Sequence, residues 1–215
     1  DPVQTANINV LGTVNVFEAC KKSKVNKVIY AESSAVYEGT VSFPSREKDE
    51  APESFYAISK IASKLFADAY LRFANLNTIA LRYFNVYGPK QDYRRSIPPL
   101  MCAFIIKLLK GEQPVIYGDG TKRRDFIYIE DVNRFHELLI NKGSVTGGTY
   151  NIGSGKNVKN IDIAKMLLKI AKNKSLKTSK KIKIKFVKDR PGHDFRYALN
   201  SSAFRKKTRW YRYNN

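Results

Sequence analysis

Two stretches decide the fold: Lys27-Val28-Ile29-Tyr30-Ala31-Glu32-Ser33-Ser34 and, after a loop, Tyr56-Ala57-Ile58-Ser59-Lys60. The first is short, apolar and β-branched up to its glutamate, which is typical of a buried strand. In the second, a tyrosine and a lysine four positions apart lie on one face of a helix. An ammonium near a phenol favours the phenolate, and a serine hydroxyl from the strand would complete a proton-transfer site. The same spacing is common where a half-buried tyrosine simply packs beside a lysine.

Helices and strands alternate around these two stretches. Residues 3–22 carry an apolar stripe at helical spacing, Ser54 precedes the helix of Tyr56 as a capping residue, and residues 78–82 predict a second strand. This order predicts an α/β protein with a doubly wound parallel sheet. Shorter elements are predicted after Pro89: helices over 97–109, 130–141 and 161–171, and strands over 115–117, 125–129, 149–152 and 182–187.

Composition narrows the class of protein. The 215 residues are 43% hydrophobic, which is typical of a globular protein, and no apolar run has membrane-spanning length. Cys20 and Cys102 form no disulfide framework, which favours a reducing, cytoplasmic location, and the first residues lack the pattern of a signal peptide. The two histidines lack metal-ligand spacing, so no metal site is predicted, and His136 is interpreted as an ordinary half-buried residue.

The net charge of +20 arises from 39 Lys and Arg against 19 Asp and Glu, with lysines concentrated between Lys156 and Lys188. Such an excess can mark a surface that binds nucleic acid or another polyanion. It can also be a solvated, lysine-rich surface on an enzyme with an anionic substrate. Aromatic residues lie in core-like patterns rather than among the lysines. We therefore expect the second case, with no nucleic-acid or membrane partner.

Seven motifs occur in the order found in one protein family. They are residues 9–19, the strand ending at Ser33-Ser34, the Tyr56–Lys60 pair, residues 81–89, residues 117–120 with 124–132, residues 150–153 and residues 189–194. Together they resemble the extended short-chain dehydrogenase/reductase family, the NAD-dependent nucleotide-sugar epimerases and dehydratases. The resemblance runs through nearly the whole chain. It implies a Rossmann-type sheet and a small α/β substrate-binding domain, with a hairpin over residues 117–132.

The resemblance also implies the catalytic and cofactor-binding residues. Tyr56 would be the acid/base that removes the proton from a sugar hydroxyl as hydride passes to NAD. Lys60 would favour the phenolate and hold the nicotinamide ribose. Ser33 would bridge the reacting oxygen and the phenol, and the backbone of Val86 would face the nicotinamide.

The substrate implied by the resemblance is a nucleotide-diphosphate sugar. Asn85 would bind the sugar or its diphosphate, or would only support a turn. Arg124 and Arg190 would clamp the diphosphate, because a guanidinium matches phosphate oxygens. Ion pairs with Asp125 and Asp194 are the structural alternatives for these arginines. Looser matches to substrate-binding positions are Ser34, Arg95, Tyr117, Asn151 and His193.

A dinucleotide site in this family needs a glycine-rich turn, followed about 20 positions later by an acidic residue. Neither occurs in these 215 residues, and Gly153-Ser154-Gly155-Lys156 does not fit the pattern. We therefore expect residues 1–88 to be the C-terminal part of an NAD-binding domain without its first strands. Residues 89–215 would be mainly a substrate-binding domain, and the chain would be part of a longer enzyme. The resemblance implies a homodimer formed through the helix of Tyr56; aromatic residues available for that contact, or for the core, are Phe66, Tyr70 and Phe73.

Two positions separate the reactions known for the family. Its sugar 4,6-dehydratases carry an Asp-Glu pair directly after the catalytic Thr, where this chain has Ser34 and Ala35. Ser33, Tyr56 and Lys60 suffice for reversible oxidation at carbon 4, which favours a nucleotide-sugar 4-epimerase. Residues 189–198 are more similar to the dehydratases, so a 4,6-dehydratase is the alternative. A non-catalytic sugar-nucleotide or polyanion-binding remnant is the alternative of another class.

Overall fold

The computed structural model describes residues 1–95, 98–141, 145–174, 182–189 and 198–209. The chain divides into two compact units, each assembled from separate stretches. The first unit comprises Asp1–Phe84, Asp131–Gly155 and Leu199–Asn215, and the second comprises Asn85–Glu130 and Lys156–Ala198. The first division falls directly after Phe84, a few residues before the boundary expected from the sequence.

A three-stranded parallel sheet forms the centre of the first unit. Its strands, in spatial order, are β1 (Lys27–Ser33), β2 (Asn77–Tyr83) and β6 (Gly148–Ile152). The middle strand is buried from residue 78 to residue 82, as expected for a strand covered on both faces. The predicted α/β class with parallel strands is therefore confirmed.

In the described part of this unit, four helical segments accompany the sheet. They are the N-terminal segment with α1 (Pro2–Thr5) and α2 (Gly12–Lys22), then α3 (Phe55–Ala74), α5 (Ile129–Asn141), most of which belongs to this unit, and α7 (Ser202–Thr208). The sequence predicted one regular helix over residues 3–22, but Ala6–Leu11 forms a wider π-helical turn. Side chains satisfy the carbonyl of Asn9 within this turn: the hydroxyls of Thr13 and Ser63 donate to it at 2.6 and 2.8 Å. Widened turns of this kind often lie at functional sites.

Aromatic packing joins α2, α3 and β1. Phe17 is fully buried and meets Tyr30 and Tyr70 edge-on, with ring centroids 5.3 and 5.5 Å away. Tyr70 is therefore a partly buried packing residue. Phe66 and Phe73 on the same helix are exposed instead, by 43% and 81%.

The described residues of the second unit form two smaller sheets and two helices. One sheet has the order β3-β5-β7, with β3 (Asn85–Tyr87), β5 (Arg123–Tyr128) and β7 (Asn157–Lys159). The other pairs β4 (Val115–Tyr117) with β8 (Lys185–Val187) in parallel. The helices α4 (Leu100–Leu109) and α6 (Asn160–Asn173) pack around Phe104, Ile116 and Ala164. The helix predicted from residue 97 begins at Leu100, after Pro99, because a proline disfavours the helical conformation of the residue that precedes it, here Pro98.

The prediction of a hairpin over residues 117–132 is wrong. The strands β4 and β5 belong to different sheets, since β4 pairs with β8 while β5 pairs with β3 and β7. The connecting turn contains Gly118 and Gly120 at φ values of +74° and +79°, a backbone conformation that glycine adopts at little cost. These positions turn the chain away from β4 before β5 begins.

Two further findings concern membranes and metals. Among the helices in the described ranges, none is long and apolar enough to cross a membrane. The described residues also contain no group of three or more His, Cys, Asp or Glu side chains placed to hold a metal ion.

Candidate active site

The candidate catalytic residues lie at the carboxyl edge of the parallel sheet. Ser33 ends β1, and its register partner on β2 is Tyr83, which in turn pairs with Ile152 on β6. Parallel strands all end at the same edge, and open α/β sheets bind their ligands just outside it. The Ser33 hydroxyl accepts a hydrogen bond from the backbone N–H of Ala35 at 3.2 Å and begins the short 3₁₀ turn Ser34–Tyr37. Both Ser33 and Ser34 are half-buried.

The helix that carries the tyrosine and lysine begins where the sequence predicts. The Ser54 hydroxyl accepts from the N–H of Ala57 at 3.2 Å, which satisfies one of the free donors of the helix start. The Glu38 carboxylate in turn accepts from the Ser54 N–H at 2.9 Å and from its hydroxyl at 3.1 Å. The beginning of α3 is therefore tied to the loop that leaves Ser33.

Tyr56 and Lys60 lie next to each other on one face of α3. The Lys60 ammonium is 5.7 Å from the centre of the Tyr56 ring, and the tyrosine is 45% exposed. The same ammonium donates a hydrogen bond to the Ala31 carbonyl on β1 at 3.2 Å. Lys60 therefore links α3 to the strand that ends at Ser33. A partly exposed tyrosine beside an ammonium is suited to proton transfer at a bound alcohol.

Sequence reasoning missed a chain of hydrogen bonds behind Tyr56. The Asn9 amide in the π-helical turn donates to the Ser59 hydroxyl at 3.0 Å, and that hydroxyl donates to the Tyr56 carbonyl at 2.7 Å. Ser63, one turn further along α3, donates to the Asn9 carbonyl. The buried face of α3 repeats small residues at Ser59, Ser63 and Ala67, a spacing of four that would have indicated a close helix neighbour.

A row of polar residues lies one position before the strand ends. Glu32, Arg82 and Asn151 are register partners on β1, β2 and β6, and all three are buried. The Asn151 side chain accepts from the Tyr37 hydroxyl at 2.7 Å and donates to the Ser45 carbonyl at 3.1 Å. Burial raises the pKa of Tyr37 to about 12, so its hydroxyl stays protonated and can donate. These contacts favour a structural role for Asn151 over the predicted contact with substrate.

His136 also has a structural environment. Its Nδ1 lies 2.7 Å from the Val132 carbonyl, so this nitrogen carries the proton. Its Nε2 lies 2.6 Å from the Tyr83 hydroxyl and accepts from it. Burial raises the pKa of Tyr83, which keeps that hydroxyl protonated. The pair fixes Tyr83 beside α5 at the carboxyl edge of the sheet.

The second unit contains a pocket that brings several predicted residues together. Its volume is about 300 Å³, and its lining includes Asn85, Val86, Arg95, Met101 and Phe126. The side-chain NH₂ group of Asn85 donates to a backbone carbonyl of β5 at 3.0 Å. The Asn85 side chain is exposed, so its carbonyl oxygen can accept a hydrogen bond from a ligand. A lining that combines apolar side chains with polar and charged groups, among them Asp92, can hold a small polar ligand.

Other predicted substrate residues of this unit lie outside the pocket lining. Tyr117 is on β4 and is partly exposed, whereas Arg124 is half-buried on β5 and donates to the Arg123 carbonyl at 2.8 Å. Arg190 and His193 lie outside the described residues.

Comparison with known proteins identifies the relatives of this chain. The NAD dependent epimerase/dehydratase family model matches residues 1–153. The dTDP-glucose 4,6-dehydratase of Streptomyces niveus is 32% identical over 201 residues, which are 92% of this chain and 56% of that protein. The chain spans about half the length of the curated relatives it matches.

Two solved structures extend this comparison to the fold. One is a UDP-N-acetylglucosamine 4-epimerase from Methanobrevibacter ruminantium M1 in complex with UDP-N-acetylmuramic acid. It has a TM-score of 0.90 and 30% identity, and the match covers 98% of this chain and 65% of that one. The other is a UDP-glucuronic acid 4-epimerase from Bacillus cereus in complex with UDP-glucuronic acid and NAD. Its TM-score is 0.83 at 28% identity, over 96% of this chain and 63% of that one.

Proposed function

The chain belongs to the NAD-dependent epimerase/dehydratase family, and we propose that this protein interconverts the carbon-4 epimers of a nucleotide sugar. NAD is the proposed cofactor, because solved relatives of both activities are described with NAD bound. Catalytic roles are proposed for Tyr56, Lys60 and Ser33. Substrate contacts are proposed for Asn85, Arg95, Arg124 and Arg190, with Ser34, Tyr117 and His193 as further candidates.

One observation carries the choice of epimerase: acidic groups are lacking where dehydration would need them. Ser34 and Ala35 follow Ser33, and neither side chain can act as a carboxylic acid. The nearest carboxylates in sequence are already bound. Glu32 is buried against Arg82, and Glu38 accepts two hydrogen bonds from Ser54. Positions 34 and 35 therefore offer no acid or base for the elimination of water across carbons 5 and 6.

The residues at the sheet edge fit the nicotinamide-ribose part of NAD. A lysine ammonium has three N–H donors, of which the Ala31 carbonyl takes one from Lys60. The hydroxyl of Tyr56, a residue that is 45% exposed, is a second polar group on the same side of α3. Such a donor set matches a ribose diol. When bound, NAD would accept a hydride from carbon 4 of the sugar and later return it.

The side chains of this chain would move the accompanying proton. The Tyr56 phenolate removes the proton from the 4-hydroxyl as the C4–H bond breaks, which leaves a 4-keto sugar. The Ser33 hydroxyl donates a hydrogen bond to the reacting oxygen, and Lys60 stabilises the phenolate. After the keto sugar turns in the site, Tyr56 returns the proton while carbon 4 receives hydrogen on its other face. No proton is removed from carbon 5.

A 4,6-dehydratase is the second candidate, and a specific observation favours it. Residues 189–198 are more similar to dTDP-glucose 4,6-dehydratases, and the Streptomyces niveus relative has that activity in its name. Residues that bind the nucleotide can be shared by enzymes with different chemistry, however. Positions 34 and 35, in contrast, are where a dehydratase carries the carboxyl groups of its reaction. We therefore place the epimerase first.

We also propose that the protein forms a homodimer through the first unit. Large apolar side chains are exposed along two neighbouring helical segments: Val3, Ile8, Leu11 and Val16 on the first, and Phe55, Ile58, Leu65, Phe66 and Phe73 on α3. Large exposed apolar side chains concentrated on two helical segments in contact mark an interaction site more often than a solvated face. Twofold pairing buries the same patch on both copies.

The proposed function is tested with the complete protein, NAD and pairs of nucleotide sugars that differ only at carbon 4. An epimerase gives the same equilibrium mixture from either member of a pair, separable by chromatography. A product that no longer converts back to the starting sugar would identify a dehydratase instead.

A further inference from the structure

Arg82 is the largest fully buried side chain of the described core, although it carries a permanent charge. All five of its N–H donors have partners. The Nε and Nη2 groups donate to the two Glu32 carboxylate oxygens at 2.6 and 3.0 Å, and Nη2 also donates to Glu50. The Nη1 group donates to the Tyr37 hydroxyl at 2.7 Å and to the Glu47 carbonyl at 2.9 Å.

One arm of this network fixes the strand that ends at Ser33. Glu32 lies directly opposite Arg82 in the β1–β2 register and comes one residue before Ser33. Successive side chains of a strand point to opposite faces, so the direction of Glu32 determines the direction of Ser33. A bidentate carboxylate–guanidinium contact also fixes orientation, which a single hydrogen bond does not.

The other arm fixes the loop between Ser33 and α3. Glu47 and Glu50 belong to this loop, and both contact Arg82. Glu50 also forms an ion pair with Lys64 of α3 at 3.5 Å. The guanidinium therefore connects the strand before the serine with the loop that leads into the helix of the tyrosine.

Net stability alone does not account for this arrangement. Burying the Arg82 guanidinium and the Glu32 carboxylate carries a large desolvation cost, and apolar residues of similar volume often stabilise a core equally well. What apolar residues do not supply is direction, because their contacts have no preferred angle. The hydrogen bonds of Arg82 have fixed directions, both toward the strand that carries Ser33 and toward the loop that leads to the helix of Tyr56.

From this geometry we infer that Arg82 is a positioning residue that sets the Ser33 hydroxyl relative to the Tyr56 phenol. The inference rests on the proposed function, because it assigns the network to the proton-transfer step of that reaction. Arg82 does not touch substrate. It acts through Glu32 on the serine and through the Glu47–Glu50 segment on the start of α3.

The test is a double-mutant cycle in the complete enzyme, measured as kcat and KM for the nucleotide sugar. A small misplacement of a catalytic group costs about 10²-fold in rate, so Arg82→Lys lowers kcat by about that factor while KM changes less than about threefold. In a Ser33→Ala background the same Arg82→Lys substitution costs less than about fivefold, because the group it positions is already absent. The exposed Arg72 supplies the control: Arg72→Lys leaves both constants unchanged.

A milder variant keeps the test informative if Arg82→Lys fails to fold. Glu50 is partly exposed, and Glu50→Gln weakens only one arm of the network. Glu50→Gln lowers kcat about tenfold at unchanged KM. In the Ser33→Ala background the same substitution leaves kcat unchanged. Additive losses in both cycles, or a Ser33→Ala variant with normal kcat, would overturn the inference. The cycle is measured on whichever reaction the wild type catalyses, so a dehydratase product would refute the proposed epimerase without deciding the role of Arg82.

Discussion

Lys60 lies with its ammonium 5.7 Å from the centre of the Tyr56 ring, one helical turn along α3. The lysine does not depend on the tyrosine for its position, because the Ala31 carbonyl of β1 accepts a hydrogen bond from it at 3.2 Å. The positive charge is therefore held beside the phenol by the sheet. This arrangement supports the assignment of Tyr56 as the acid/base and leads to the first prediction.

Tyr56→Phe in the complete enzyme removes one hydroxyl and leaves the ring in place. Loss of a general acid/base lowers kcat by about 10²–10⁴-fold, while nucleotide-sugar affinity measured by calorimetry stays within about threefold of wild type. Tyr70→Phe is the matched control on the same helix, since the Tyr70 hydroxyl contacts Glu18 rather than the sheet edge. Turnover by Tyr56→Phe close to that of the control would show that the phenol is not the base.

The diphosphate of the substrate gives the second prediction. Arg124→Ala and Arg190→Ala each weaken binding of the free nucleoside diphosphate by about 1.5–3 kcal/mol, roughly tenfold or more, through loss of charge-assisted hydrogen bonds. Calorimetric titration measures the change, with Arg72→Ala as the control for lost surface charge. If both variants bind as tightly as the control, the two arginines serve ion pairs within the protein.

The exposed apolar surface of the first unit gives the third prediction. Leu65→Asp or Phe66→Asp places a charge in the proposed dimer contact, and desolvating it raises the dimer dissociation constant by at least about tenfold. Sedimentation equilibrium measures the constant. Ile105→Asp on α4 introduces the same charge at a similarly exposed apolar position of the second unit and leaves association unchanged. Equal association of all three variants would place the interface elsewhere.

The contact between Tyr70 and Glu18 gives a prediction about pH. The Tyr70 hydroxyl donates to the Glu18 carboxylate at 2.9 Å and holds the pKa of that carboxyl below its usual value. A lowered folded-state pKa stabilises the fold above the unfolded pKa of about 4.3, and this contribution is lost as the pH falls through the folded pKa. Tyr70→Phe is therefore less stable than wild type near pH 7, and the difference narrows as the pH falls below about 4.

Unfolding in denaturant at several pH values measures that difference. An NMR titration of the Glu18 carboxyl gives an independent readout, since its pKa rises in Tyr70→Phe toward the ordinary value. An unchanged titration would show that the hydroxyl does not interact with the carboxylate in solution.

Much of the fold was predictable because its signals are local. The strand over residues 115–117 was predicted with the bounds observed, and β1, β2 and α3 begin or end within a residue or two of their predicted limits. Ser54 was recognised as a cap from its position before an apolar helical pattern. Sheet membership was harder, because β4 pairs with β8 about 70 residues later rather than with the neighbouring β5.

The candidate site was predictable only in part for a similar reason. The spacing of Tyr56 and Lys60 is local and visible in the sequence. The row formed by Glu32, Arg82 and Asn151 depends on the register of three strands far apart in the chain. Sequence alone therefore interpreted Asn151 as a substrate contact and gave Arg82 no role. The link from Asn9 to Ser59 is likewise a contact between distant helices.

Solvent deuterium tests the central claim most directly. The complete protein is incubated with NAD and nucleotide hexoses in D₂O, and the products are examined by NMR. In an epimerase the hydrogen on carbon 4 leaves and returns as hydride, and Tyr56 exchanges only a proton bound to oxygen. We therefore expect the carbon-4 epimer with no deuterium on any carbon. A 4-keto-6-deoxy sugar with deuterium at carbon 5 would contradict the account, because it would require an acid and a base that Ser34 and Ala35 do not provide.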